Sequence, residues 1–154
     1  MPRTIVQEYG PIYGEPVNGT VLGRPNGSVF VPISNVVNLS IGKEYAKYIS
    51  NNRIVVCDSD GTWANNPDYA IKVDALSQDL SSYIVVTAYT DEELTTVEAS
   101  RTLTAGIFNY EVMILTNSQN TLSNGDPLYI VATLCNNGVP VATSDVIQLS
   151  MVVA

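Results

Sequence analysis

Val146-Ile147-Gln148-Leu149-Ser150-Met151-Val152-Val153 sets Ile147, Leu149, Met151 and Val153 on alternate positions, with Gln148 and Ser150 between them. A period of two belongs to a strand, because successive side chains leave a pleated backbone on opposite faces. The same alternation runs through 107–116, where Phe108, Tyr110, Val112 and Ile114 share one face opposite Asn109 and Glu111. Runs of Val, Ile, Thr and Tyr bounded by Asn, Gly, Asp and Ser extend the pattern, so strands are predicted over 36–41, 53–57, 69–74, 83–90, 107–116, 127–135 and 145–153. Asn136-Asn137-Gly138 between two apolar runs supplies the positive-φ residues of a tight hairpin, and Pro140 just beyond it marks an edge strand or an interruption.

Two stretches read differently. Gly42-Lys43-Glu44-Tyr45-Ala46-Lys47-Tyr48-Ile49 has a helical look, and Thr90 followed by Glu93 makes a capping-box pattern at the head of 90–99. Thr95, Thr96 and Val97 are stiff at χ1 and disfavour helix, so 90–99 is expected as a short helix or an exposed loop. Strands at this spacing with so little helix predict an all-β fold, an antiparallel β-sandwich of jelly-roll or immunoglobulin-like type spanning residues 35–154.

Residues 1–34 are composed differently. They hold half of the 10 Gly and most of the 8 Pro, with only short apolar pieces between them. Broken in this way they cannot make central strands. An extended N-terminal arm that lies against a partner is expected, or else a pair of edge hairpins on the same domain. In the first case Ile5, Val6, Tyr9, Ile12, Tyr13, Val29, Phe30 and Val31 would be the partner-binding residues, since they are costly to leave in water.

The chain has 154 residues, 7 Lys+Arg against 15 Asp+Glu, no His, and a net charge of −8. A core can hold a domain of this size without disulfides or metals. With 14% charged residues, its polar character comes from 14 Asn, 13 Ser and 13 Thr, which hydrogen-bond well but do little acid-base work. The missing histidine takes away the commonest general base and transition-metal ligand, and with it Ser-His-Asp and Cys-His catalysis. Three Lys and four Arg make no basic patch, so no nucleic-acid partner is expected. Nor is a membrane partner: no run reaches the length of a span, and no signal-peptide stretch follows Met1-Pro2-Arg3-Thr4, so the expectation is a soluble protein made in a cytoplasm. Cys57 and Cys135 sit in apolar strand-like runs and read as buried free thiols, with a bridge between them left open.

Three groups of residues invite a chemical reading. Asp58-Ser59-Asp60-Gly61 begins like a calcium loop, but Thr62, Trp63 and Tyr69 stand where an oxygen ligand, a glycine and a bidentate glutamate should be, so a turn with Asx capping is expected. Asp91, Glu92, Glu93 and Glu98 offer the paired carboxylates of a glycosidase, yet acids among threonines read as a solvated face. Trp63 with Tyr69 offers a sugar-stacking platform, against the plainer reading of a loop anchor. No enzyme, no metal and no cofactor is expected.

The arm Tyr13-Gly14-Glu15-Pro16-Val17-Asn18-Gly19-Thr20-Val21-Leu22-Gly23-Arg24-Pro25-Asn26-Gly27-Ser28-Val29-Phe30-Val31-Pro32 and the terminal strand Val146–Val153 together resemble virion proteins of tailed bacteriophages, most closely the small decoration (cement) proteins of the capsid. The likeness is one of general character, that of an acidic, His-free, Val/Thr/Asn-rich β domain with a Gly/Pro arm. It implies a non-enzymatic structural protein on the capsid exterior, self-associating as a homotrimer, whose arm clamps neighbouring subunits of the major capsid protein. The competing reading is a tail or fibre module that contacts host glycan.

Overall fold

The computed structural model describes residues 35–63, 67–77, 81–104 and 109–153. Residues 1–34, and with them the expected arm, lie outside the described residues. The fold is all-β. Among the described residues eleven strands run in chain order: β1 (Val36–Ser40), β2 (Tyr45–Tyr48), β3 (Arg53–Cys57), β4 (Ile71–Leu76), β5 (Tyr83–Tyr89), β6 (Val97–Leu103), β7 (Asn109–Val112), β8 (Ile114–Thr116), β9 (Pro127–Asn136), β10 (Val139–Thr143) and β11 (Ile147–Met151). Pro67–Tyr69 makes one 3-10 turn, and no α-helix occurs among the described residues.

Two sheets share these strands. β1, β4 and β7 form a small antiparallel sheet with β4 in the middle. The larger sheet closes on itself through β9, giving a ring of seven strands in the order β9-β11-β2-β3-β8-β6-β5. One pairing in the ring is parallel, with Ser150 opposite Tyr45 and Met151 opposite Ala46, so the end of the chain is stitched beside β2.

β9 makes the closure. One of its edges pairs with β5 from Tyr83–Cys135 to Tyr89–Tyr129. The other edge is shared: Pro127–Ile130 pair with β11, and Thr133–Asn136 pair with β10. Between the two partners, the Ala132 amide donates to Ser144 Oγ at 2.9 Å and the Ser144 amide to the Ala132 carbonyl at 2.9 Å, so the gap leaves neither group unpaired. The hairpin between β9 and β10 turns at Asn137 (φ 53°) and Gly138 (φ 83°), the two positive-φ residues that a two-residue turn of this hand requires. β10 is an edge strand with a register shift between Pro140 and Ala142, which matches the reading of Pro140.

The core is one cluster. Ile54, Val56, Val86, Leu128, Ile130, Leu149 and Met151 of the ring meet Val37, Ile71, Val73, Ala75 and Val112 of the small sheet. Fully burying one such aliphatic side chain stabilises the fold by roughly 1.5–3 kcal/mol. The alternation read in the last strand holds for Leu149 and Met151, which are buried, and ends at Val153, which is exposed.

Two expectations need correcting, and a third resolves to one of its alternatives. The stretch 42–49 holds a strand, β2 at Tyr45–Tyr48, and no helix, with Ala46 buried against β3; the local helical character of these four residues is outweighed by ladder bonds on both sides. The stretch 90–99, expected as a short helix or an exposed loop, takes the loop over 90–96 and no helix. A loop closed by Leu94 at φ 60° leads into β6. Its Asp91 carboxylate accepts bonds from the Thr95 and Thr96 amides and from Thr95 Oγ1, the Asx behaviour that competes with a helical turn. Finally, 107–116 is not one strand. β7 belongs to the small sheet and β8 to the ring, and the inward phase changes at Met113, from Tyr110 and Val112 to Leu115.

Candidate functional site

The arm residues Ile5, Val6, Tyr9, Ile12, Tyr13, Val29, Phe30 and Val31 lie outside the described residues. The other groups singled out in the sequence can be placed.

Asp58-Ser59-Asp60-Gly61 is a turn. The Gly61 amide donates to the Asp58 carbonyl at 2.9 Å, the Asp58 amide to the Thr62 carbonyl at 3.0 Å, and the Thr62 amide to Asp60 Oδ1 at 2.8 Å. Gly61 has φ +81°, a conformation that favours glycine, although a Cβ there would only touch Val152 Cγ1 at 3.4 Å. Asp58 is engaged on both oxygens: Lys43 Nζ lies 2.9 Å from Oδ1, and the Tyr69 hydroxyl donates to Oδ2 at 2.9 Å. Lys43 also sits 4.4 Å above the Tyr69 ring. These donors hold the Asp58 carboxyl below the ordinary aspartate range, with the Lys43 hydrogen bond the largest cause, and Lys43 is raised in return. The arrangement ties the 3-10 turn and the segment before β2 to the end of β3. Trp63 is half-buried, with its indole Nε1 enclosed and without a hydrogen-bond partner among the described residues.

Glu98 is the residue that the sequence reading missed. Expected on a solvated face, it is fully buried at 0% exposure. Its carboxylate accepts from the Tyr48 hydroxyl at 2.8 Å, Ser118 Oγ at 2.8 Å, the Thr121 amide at 3.2 Å and Thr121 Oγ1. Burial alone would push the carboxyl up, but the donors from Thr121, Ser118 and Tyr48 outweigh it and hold Glu98 below the ordinary glutamate range. The Tyr48 phenol is pushed up to about 12, first by burial, with the neighbouring Glu98 adding to it against the Leu122 amide. The Leu122 amide donates to the Tyr48 hydroxyl at 2.8 Å, and the Gln119 amide to the Glu98 carbonyl at 2.9 Å. One acid thus fastens the segment 118–122, between β8 and β9, to β2 and β6. No local pattern announces this, since Tyr48 lies 50 residues away in sequence.

Three carboxylates are in this way committed to fastening: Asp58, Asp91 and Glu98. The acid pair of a glycosidase needs one carboxyl raised and one ionised across an open gap. Asp91 is bonded within its own loop and Glu98 is sealed from solvent, so these two do not face one another across an open gap. No group of three or more Cys, Asp or Glu with metal-ligand geometry occurs among the described residues. Cys57 and Cys135 are both buried free thiols, and burial pushes the Cys57 thiol up.

Two surfaces remain. On the outward face of the small sheet, Asn38, Asp74 and Asn109 line up in register across β1, β4 and β7, with Ser40, Lys72 and Glu111 in the next row. The depression of about 670 Å³ that opens on this face is lined by Ser40, Lys72, Asp74, Asn109, Tyr110 and Glu111. The second surface is the flank where β1 meets β10, with Val36 at 40%, Val139 at 60% and Val141 at 40% exposure. Compared with family models, with curated proteins and with solved structures, the chain gives no match.

Proposed function

We propose that this chain is a non-enzymatic structural protein of a phage virion, which decorates the capsid exterior and stabilises it by clamping neighbouring subunits of the major capsid protein, and which associates with itself as a homotrimer. In this reading the two sheets serve as the layers of a sandwich of jelly-roll or immunoglobulin-like type, and residues 1–34 are the attaching arm. The observation that supports it is the use made of the acids. Glu98 fastens the loop 118–122 to β2 and β6, Asp91 closes its own loop and Asp58 adds an exposed tie, so the polar chemistry of the domain is directed at rigidity and away from turnover. A holder needs such rigidity and needs neither a titratable pair nor a cofactor.

A second reading, a tail or fibre module for host glycan, draws on Asp74 and Asn109 in the depression, beside Asn38 in register, whose amides and carboxylate are the groups that bind sugar hydroxyls. The test is co-sedimentation of the purified chain with undecorated capsids assembled from the capsid gene nearest its own. The reading requires saturable binding that is lost when residues 2–34 are deleted while the domain keeps a cooperative thermal transition. Absence of capsid binding, together with retention on immobilised host glycan that Asp74→Ala abolishes, would replace the first reading with the second.

A further inference from the structure

Asn124-Gly125 and Asn137-Gly138 repeat one dipeptide in two tight turns, and the fold treats them differently. An asparagine before glycine is the pair most prone to lose its side-chain amide, because glycine places no Cβ in the way of its own backbone nitrogen. Both pairs are exposed, and a Cβ on either glycine would meet nothing within 4 Å, so crowding does not separate them. Hydrogen bonding does. The Gly125 amide donates to the Met151 carbonyl at 2.7 Å, and Asn124 Oδ1 accepts from the Val153 amide at 3.1 Å, so both reacting groups are tied to β11 and the residues after it. Asn137 and Gly138 instead form the two-residue turn between Asn136 and Val139, where the ladder ends. Among the described residues nothing accepts from the Gly138 amide and nothing bonds the Asn137 carboxamide.

We propose that Asn137 is the site at which the folded domain deamidates, and that Asn124 is spared. The Gly138 nitrogen gives its proton to hydroxide and attacks Asn137 Cγ. The N–Cγ bond forms, the Cγ–Nδ2 bond breaks, and ammonia leaves with a proton taken from water, which restores the hydroxide. Water then opens the cyclic imide at one carbonyl to give aspartate, or at the other to give isoaspartate. At Gly125 the same attack first requires breaking the bonds to Met151 and Val153, so it waits for local opening. The two products differ in effect. Aspartate keeps the backbone and adds one negative charge to the −8 of the chain. Isoaspartate carries the main chain through the side-chain carbon, and a two-residue turn has no slack for the added bond. Among the described residues β10 pairs with β9 alone and is no member of the closed ring, so its ladder loosens while the seven ring strands stay joined.

The test is incubation of the full chain in mildly alkaline buffer, native and in urea, followed by peptide mass mapping and enzymatic methylation of isoaspartate. Mapping separates these two sites from Asn18 and Asn26, the other asparagines that precede glycine. In the native protein the Asn137 peptide should convert roughly tenfold or more faster than the Asn124 peptide. In urea neither site keeps a protecting bond, and the two rates should draw close. Asn124 converting as fast as Asn137 in the native protein, or a preference that persists unchanged in urea, overturns the assignment. So does an Asn137 that converts in urea and stays intact in the native protein. In the isoaspartyl fraction, amide exchange in β10 should accelerate while that of β5 and β11 holds; unaltered exchange in β10 would overturn the effect on the hairpin.

Discussion

The molecule fastens its loops with carboxylates in two places, and the two places are built differently. At the end of β3, Asp58 is exposed enough to keep a cation beside it: Lys43 lies 2.9 Å away, with Tyr69 on the other oxygen. Beneath the loop 118–122, Glu98 has lost all contact with water and is held by hydroxyls and an amide. An exposed ion pair gains little, since water solvates both charges almost as well as they solvate each other. A buried carboxylate has no such alternative, and removing it leaves several donors without an acceptor. The same chemical group is thus dispensable in one setting and structural in the other, and burial makes the difference.

Removing the buried acid puts this contrast under the greatest strain. Glu98→Ala should destabilise the domain by about 3 kcal/mol in urea titration, because Tyr48, Ser118 and Thr121 keep their donors and lose the acceptor. Glu98→Gln should cost less, since it returns one acceptor oxygen.

The next largest effect is on pH dependence. Because the folded carboxyl of Glu98 is held below its unfolded value, its contribution to stability is complete above the unfolded glutamate range and is lost as pH falls through the lower, folded value. Melting temperatures of the wild type and Glu98→Gln should therefore differ most near neutrality and converge in acid. A constant gap across that range would mean that the carboxylate charge plays no part.

Tyr48→Phe comes third, at about 1–2 kcal/mol, since it removes one donor to Glu98 and the acceptor of the Leu122 amide. Its signature is local: amide exchange of Leu122 should accelerate more than that of the ring strands.

Smallest of all should be the exposed pair. Asp58→Asn should leave the melting temperature within the scatter of replicate scans, and raising salt to about 1 M should erase whatever difference exists while leaving the Glu98 effect intact. Adding calcium or a chelator should shift neither protein, as both Asp58 oxygens are already engaged. A rise of several degrees with calcium would show that the turn binds the cation and sets Lys43 aside.

How much of this is legible in the chain depends on the range of the interaction. β5, β9 and β11 follow from alternation and β-branched content, and the β9–β10 turn follows from Asn137-Gly138, because positive φ is a demand on a single residue. β2 reads as helix because its four residues say little by themselves, and its strand state comes from β3 on one side and β11 on the other. The 107–116 run keeps a strand's composition throughout, yet Met113 carries it from one sheet to the other, and composition does not record which sheet a strand joins. Glu98 sits among acids and threonines that look solvated, and only the loop folded over it makes it a core residue.

Local chain chemistry is thus enough to establish that the domain is β, that it holds no histidine, where its tightest hairpin turns, and that its cysteines sit in apolar strands. Backbone sterics and side-chain type fix these properties one short segment at a time. Three others arise only once the chain has folded: seven strands close into a ring, the last strand runs parallel to β2, and Glu98 is sealed under a loop beside a tyrosine 50 residues away. Pairing and burial are set by which distant surfaces come together, and no short segment read by itself shows which those are.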